Sequence, residues 1–325
     1  MRKNKNALSP VRPPSGDKIL KKETTEMLDV PGLVRLSDDA DETGQLVVTE
    51  KNNILLYNNR KGNLIVLRLK DSKEFNTGRE RLVGANFEGL GLVVEKKDGL
   101  YFWEKKNLVN KMRRFGGTRE TNHAFQKVLF SRDSVYYTEP GAKGNHRLMR
   151  YDYINRKNIT LLEENKKAIL DITPDGKFLL LISPNDKCDW VIFNIYRKKI
   201  QTANLKRPGT IIGFGRNVEE LLLENNGKIE TERKLKDRKM LMVLGDGASS
   251  YSFVTASRDH SFYLFYDNLK KAYFVIRVGT DHLLPIKGKL PKIDRAAFSY
   301  DNKVLYFISN GVLYKYEAAG DPDCF

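Results

Sequence analysis

Residues 168–205 read "AILDITPDGKFLLLISPNDKCDWVIFNIYRKKIQTANL". Three short apolar runs lie here, each followed by a polar break: TPDG, SPND and YRKK. Each run is too short to present a helical stripe, and each is rich in Ile, Leu, Val and Phe, which suit a pleated surface. The breaks hold Pro, Gly, Asn and Asp, residues that bend the backbone or bond their own amides. The stretch therefore predicts strands joined as hairpins.

The same grammar recurs on both sides. It is present in "GQLVVTEKNNILLYNNRKGNLIVLRL" (44–69), "GLGLVVEKKDGLYFWEKKNLVNKMRR" (89–114) and "KVLFSRDSVYYTEPGAKGNHRLMRYDYINRKNITLL" (127–162). After the opening stretch it returns in "TIIGFGRNVEELLLENNGKIETERKL" (210–235), "YSFVTASRDHSFYLFYDNLKKAYFVIRV" (251–278) and "RAAFSYDNKVLYFISNGVLYKYEA" (295–318). Seven copies at a spacing of about 40 residues are the pattern of propeller blades. A four-stranded sheet cannot cover both of its faces alone, and radial stacking buries each face against a neighbour. No stretch past the N-terminal tail sustains an i, i+3, i+4 apolar stripe. The fold class expected is all-β: a seven-bladed, WD40-like β-propeller with a disordered basic N-terminal tail. Two stacked sandwiches are the alternative, and they repeat their turns less regularly. The fifth copy is dense in charge and reads as a strand pair extended by a long hairpin.

Domain limits follow: a basic tail over 1–26, a propeller over 27–318 and a C-terminal tail over 319–325. The chain of 325 residues has a net charge of +16. Part of this excess is local, since Arg2, Lys3, Lys5, Arg12, Lys18, Lys21 and Lys22 face only Asp17 in the tail. The excess favours acidic partners such as nucleic acid, an anionic membrane surface or an acidic protein. Cys188 and Cys324 are too far apart and too few for a disulfide framework or a zinc site. No apolar leader follows the N-terminal charges and no run is long enough to span a bilayer, so an intracellular, soluble protein is expected.

Catalytic patterns are absent. His123, His146, His260 and His282 fall in different copies. "GFGRN" (213–217) lacks the strand-to-helix setting of a phosphate loop and reads as a turn. Asp175 in "TPDGK" and Asp301 in "SYDNK" are expected to bond local amides. In "ASRDHSFYLFYDN" a site reading pairs Asp259 and His260 as orienter and base. The simpler reading has Asp259 capping a turn and His260 exposed. The expectation is a non-enzymatic protein with no catalytic residue, no cofactor and no metal.

"SRDHSFYLF", "EKKDGLYFW" and "PNDKCDWVIF" share a Ser-x-Asp-like grammar that resembles WD repeats, although the Trp-Asp dipeptide is missing and Trp103-Glu104 is its nearest match. "MLDVPGLV" (27–34), which follows the basic Ser-Pro segment "LSPVRPPSGDKIL", then resembles the Leu-Asp-Ala-Pro lead-in to the propeller of the Fizzy and Fizzy-related family. "LLLISPNDKCDWVIFNI" and the last repeat fit the same order. These are substrate-recruiting activators of the anaphase-promoting complex, a ubiquitin ligase. The resemblance implies a scaffold that binds degron peptides in cell-cycle control. It also implies ligase subunits and degron-bearing substrates as partners, in the nucleus and cytoplasm of a eukaryote. The family's C-box has no match, and "GDPDCF" stands in place of the terminal Ile-Arg. A divergent activator, a regulator and a recruitment module all fit.

Two sets of residues are singled out on this basis. Leu28, Asp29, Pro31 and Leu33 belong to a closure segment, where apolar side chains cover a seam and Pro31-Gly32 supplies a kink tolerated at a sheet edge. Ser9 in "SPVR" has the Ser-Pro-x-basic form of a cyclin-dependent-kinase site, and the resemblance implies kinase control of this linker. A basic propeller that binds RNA or a ribonucleoprotein is the alternative function. One continuous basic face would favour nucleic acid, and charge spread over blade turns would favour protein scaffolding.

Overall fold

The computed structural model describes residues 18–19, 30–49, 53–78, 80–86, 91–104, 112–116, 127–141, 145–203, 209–225, 228–233, 237–243, 251–278, 283–286 and 288–317. Ser9, Leu28, Asp29, His123, His282 and Cys324 lie outside these residues, as do both domain limits at 26 and 318.

Two short strands come first, β1 (Lys18–Ile19) and β2 (Leu33–Ser37). The first blade is β3 (Leu46–Thr49), β4 (Ile54–Asn58), β5 (Leu64–Arg68) and β6 (Lys73–Gly78). The second is β7 (Arg81–Ala85), β8 (Gly91–Lys96), β9 (Gly99–Glu104) and β10 (Met112–Gly116). The third is β11 (Leu129–Phe130), β12 (Ser134–Pro140), β13 (His146–Asp152) and β14 (Lys157–Asn165). The fourth, from the stretch quoted at the outset, is β15 (Ala168–Ile172), β16 (Phe178–Ser183), β17 (Asp186–Asn194) and β18 (Lys199–Ala203). The fifth is β19 (Thr210–Phe214), β20 (Glu220–Asn225), β21 (Lys228–Arg233) and β22 (Asp237–Val243). The sixth is β23 (Tyr251–Ala256), β24 (Phe262–Asp267), β25 (Ala272–Arg277) and β26 (Leu283–Pro285). The seventh takes β27 (Arg295–Phe298), β28 (Val304–Ser309) and β29 (Val312–Glu317) from the end of the chain. Its fourth strand is β2, and β1 extends the first blade beyond β6.

Every pairing between neighbouring strands is antiparallel, and the molecule is the all-β, seven-bladed propeller that the seven copies indicate. The fifth copy forms a regular four-stranded blade rather than a pair with an extended hairpin. Inner strands touch around the axis, β23 with β27, β27 with β3, and β3 with β7. The core is divided accordingly into separate apolar clusters, each lying between two adjacent blades. Leu180, Trp190 and Ile192 of the fourth blade, for instance, pack on Ile211, Phe214 and Leu221 of the fifth. On the other face of the fourth blade Leu179, Leu181 and Phe193 pack on Tyr136 and Leu148 of the third. Adjacent residues of β16 thus serve different interfaces, which is why this strand is apolar on both faces.

The seventh blade is completed by backbone geometry at residues 30–33. Leu33 N donates to Val30 O at 3.1 Å, closing a four-residue turn. Gly32 has φ +82°, the conformation of the third position of a type II turn, with Pro31 ahead of it. A side chain at Gly32 would also collide with the Glu317 carbonyl oxygen. Beyond the turn β2 runs beside β29, with Leu33 opposite Tyr316 and Val34 opposite Lys315. Val30 is buried between the sixth and seventh blades.

Candidate functional site

In the third, fourth, sixth and seventh blades the turn from inner to second strand is built from the Ser/Thr-x-Asp pattern. In Ser257-Arg258-Asp259 the serine hydroxyl donates to Asp259 Oδ1 at 2.7 Å and accepts from Phe262 N at 2.9 Å. Thr173 and Asp175 repeat this at 2.6 Å, with Phe178 N donating back at 3.1 Å. Ser299 and Asp301 do so at 2.6 Å, with Val304 N at 2.9 Å. Lys177 N and Lys303 N donate to Asp175 and Asp301, so both carboxylates bond local amides as their sequence context indicates. Burial works to raise the Asp259 pKa, but hydrogen bonds from Ser257, Ser261 and Asn302 outweigh it and hold the carboxyl below its usual range. At Asp175 the same opposition is won by Thr173 and Lys177.

The three segments that share the repeat grammar are not equivalent in the fold. "SRDH" joins the inner to the second strand, whereas "KKDG" and "PNDK" join the second to the third. The structural equivalents of "SRDH" are Ser131-Arg132-Asp133, Thr173-Pro174-Asp175 and Ser299-Tyr300-Asp301. An aspartate can satisfy turn amides at either end of a blade, so the local pattern does not say which end it occupies. Residues 213–217 close β19 and turn into β20, in keeping with the turn reading of "GFGRN".

His260 departs from the exposed position expected of it. It is only 8% accessible, at φ +55°, because its ring turns inward toward Asp171 of the fourth blade. Nε2 lies 3.6 Å from Asp171 Oδ1, and Nδ1 is buried without a hydrogen-bond partner. Asp171 also accepts from Ile172 N and Phe214 N, both at 2.8 Å, tying the fourth blade to the fifth. Tyr263 donates its hydroxyl to Phe214 O, and burial raises its pKa well above that of a free phenol. Lys127 donates to Leu170 O; enclosure in the channel lowers its pKa, and Asp171 opposes the shift. Lys127 is exposed to solvent, so desolvation of its charge is partial.

These groups line an axial channel. Two adjoining cavities, of about 1080 and about 590 Å³, share Gln45, Lys127, Arg258 and Ala296 in their walls. The arrangement offers an acid, a histidine and an amine in one place, but Asp171 is already engaged by two amides and Lys127 by a carbonyl. Their chemistry is that of blade-to-blade ties. Among the described residues no group of three or more His, Cys, Asp or Glu could hold a metal ion. His146 lies at the start of β13, in a different blade from His260. Of the closure residues, Pro31 occupies the turn and Leu33 opens β2.

Both rims of the disc carry paired and unpaired cations among the described residues. Strand direction alternates, so first-to-second and third-to-fourth turns share one rim, and the other connections share the opposite one. On the first rim the third-to-fourth turns of adjacent blades carry Arg156-Lys157 and Arg197-Lys198-Lys199, all exposed, beside Ile154 and Tyr196 at 68% and 70% exposure. Arg132, Arg216 and Arg258 sit at the tips of the inner turns, with Arg258 5.7 Å from the Tyr300 ring. On the opposite rim cations meet carboxylates: Arg60 with Glu42, Arg81 with Glu95, Lys96 with Glu80, Arg147 with Glu139 and Lys167 with Asp189. Sequence reasoning missed the grouping of Arg156-Lys157 with Arg197-Lys198-Lys199, because these cations lie roughly one blade repeat apart and reach one rim only through the topology.

No protein-family model matches the chain, and no curated protein matches it. Solved structures do. A chain of a mitotic checkpoint complex is 11% identical with a TM-score of 0.60, over 97% of this chain and 99% of its own. The β-propeller domain of Myceliophteria thermophila Cps50 (Swd1) is 12% identical with a TM-score of 0.61, over 88% and 99%. A chain of Kuenenia stuttgartiensis hydrazine synthase is 11% identical with a TM-score of 0.59, over 93% and 99%. At such identities the likeness is one of fold, and one of these neighbours belongs to an enzyme, so function has to be argued from the sites.

Proposed function

We propose that this chain is a non-enzymatic propeller scaffold that binds short segments of other proteins, acting as a divergent relative of the Fizzy-type activators. In this reading it presents degron-bearing substrates to the anaphase-promoting complex in the nucleus and cytoplasm. The observation that carries the scaffold role is the way the channel's ionisable groups are spent: Asp171, Tyr263 and Lys127 each bond backbone of the channel wall, so that among the described residues these groups act as ties between blades. The Val30-Pro31-Gly32-Leu33 lead-in and the order of the repeats support the family reading. So does the similarity to a chain of a mitotic checkpoint complex. Phosphorylation of Ser9 would add about −1.5 to −2 charges among tail cations and weaken any tail contact with an acidic surface.

Affinity purification of the tagged full chain followed by mass spectrometry tests the proposal. Subunits of a ubiquitin ligase should co-purify, together with proteins whose recovery depends on short linear segments. Recovery of neither, with the tagged chain folded and abundant, would overturn it.

A further inference from the structure

The rim that carries Lys157 and Arg197 is a second interaction surface, independent of the scaffold reading. We propose that the third-to-fourth turns of the third and fourth blades bind single-stranded RNA. Lys157, Arg197, Lys198 and Lys199 are exposed, and none has a carboxylate within ion-pair distance among the described residues. On the opposite rim Arg60, Arg81 and Arg147 are each held by a carboxylate, and the unpaired Lys270, Lys289 and Lys292 there have no exposed tyrosine in the same turn. Leaving a group of like charges uncompensated costs self-repulsion, which a bound polyanion removes.

The arrangement favours a nucleic-acid strand over an acidic peptide. The cations are set on separate turns of adjacent blades and do not converge on a pocket that would orient one carboxylate. A nucleic-acid backbone carries a charge at every nucleotide and can neutralise a dispersed array, releasing counterions from each phosphate it contacts. Tyr196, at 70% exposure in the same turn as Arg197 and Lys198, offers a ring on which an unpaired base can stack. Bases in a duplex are already stacked on one another, so the exposed ring selects single strands.

Fluorescence anisotropy with a labelled 20-nucleotide oligouridylate and the full chain, across a salt series, tests this. Neutralising the rim by Lys157→Gln, Arg197→Gln and Lys199→Gln together should flatten the log–log salt slope by about 2 and cut affinity up to about 100-fold near 0.1 M salt. Tyr196→Ala should lower affinity about fivefold or more at every salt concentration with the slope unchanged. The triple change Lys270→Gln, Lys289→Gln and Lys292→Gln on the opposite rim should alter neither, and all variants should keep the wild-type thermal transition. Three results would overturn the proposal: no binding by the wild type at 50 mM salt, an unchanged slope in the rim variant, or equal rim-dependent binding of a glutamate-rich peptide. The last would reassign the surface to an acidic protein partner. None of these readouts depends on ligase subunits co-purifying, so the two proposals fail separately.

Discussion

The fourth and seventh blades use the same parts in different order. Each has a Thr- or Ser-x-Asp turn between its first two strands and an apolar second strand, FLLLIS in one and VLYFIS in the other. In the fourth blade the outer strand β18 follows β17 through the turn Ile195–Lys198, and Arg197 N bonds Asn194 Oδ1 at 2.9 Å. In the seventh blade the outer strand comes from the far end of the sequence, and Leu33 meets Tyr316. A local turn fixes register before the rest of the molecule has folded. A strand arriving across the whole chain must first overcome the loop-closure entropy, which grows with the logarithm of loop length. The Val30–Leu33 turn and the burial of Val30 offset that cost where the ring closes. The fourth blade is therefore a local unit and the seventh the joint of the ring.

Several changes would break or sharpen this contrast. Excising residues 30–37 should have the largest effect, because it bares the edge of β29 and opens the cluster between the sixth and seventh blades. The expected result is loss of a single cooperative urea transition together with light scattering from aggregates. An unchanged midpoint and slope would mean that the ring is not held at this joint.

Gly32→Val should cost about 3 kcal/mol, combining the left-handed backbone penalty with a clash against the Glu317 carbonyl. Gly176→Ala in the fourth blade, at φ +70° and with 2.9 Å to Ser131 Cβ, should cost about 1–2 kcal/mol, because the side-chain methylene can yield. Denaturant midpoints of the pair decide it, and equal losses would remove the special status of the joint.

Asp175→Ala and Asp301→Ala should each lose about 1 kcal/mol, since each removes one acceptor from a similar turn. A much larger loss at Asp301 would show that the turns of the joint are also under greater demand.

The smallest effect is in pH. Folded Asp175 and Asp259 hold their protons less tightly than unfolded aspartates. The unfolded state therefore takes up protons first on acidification. Their stabilisation is present above about pH 5, falls away through the ordinary value of about 3.9, and is gone below the folded values. Asp259→Ala should flatten the fall in urea midpoint between about pH 5 and pH 3. A profile parallel to the wild type would remove Asp259 from the account.

The legible strands were those buried on both faces, such as β16, β20, β24 and β28, because each must be apolar along its whole length. The seven quoted segments omit β6, KEFNTG, whose residues are half-buried or exposed, and leave out β22 and β26 at other blade edges. Outer strands face solvent and carry little apolar signal. At the candidate surface, exposure of individual turn residues could be anticipated. That Arg156-Lys157 and Arg197-Lys198-Lys199 share one rim could not, and the inward fold of His260 was equally hidden because the Asp-His pair reads as an ordinary turn.

The sequence by itself determined the repeat, its seven copies, the hairpin turns and the all-β class, because these depend on residues close together along the chain. Only the tertiary structure decided which turns are equivalent, that Asp171, Tyr263 and Lys127 are bound up as ties around the channel, and that Lys157, Arg197, Lys198 and Lys199 are brought to one rim beside Tyr196. The reason is geometric. Strand periodicity and turn chemistry act over a few residues, whereas burial and charge pairing are set by which blade lies next to which and which end of a strand faces which rim.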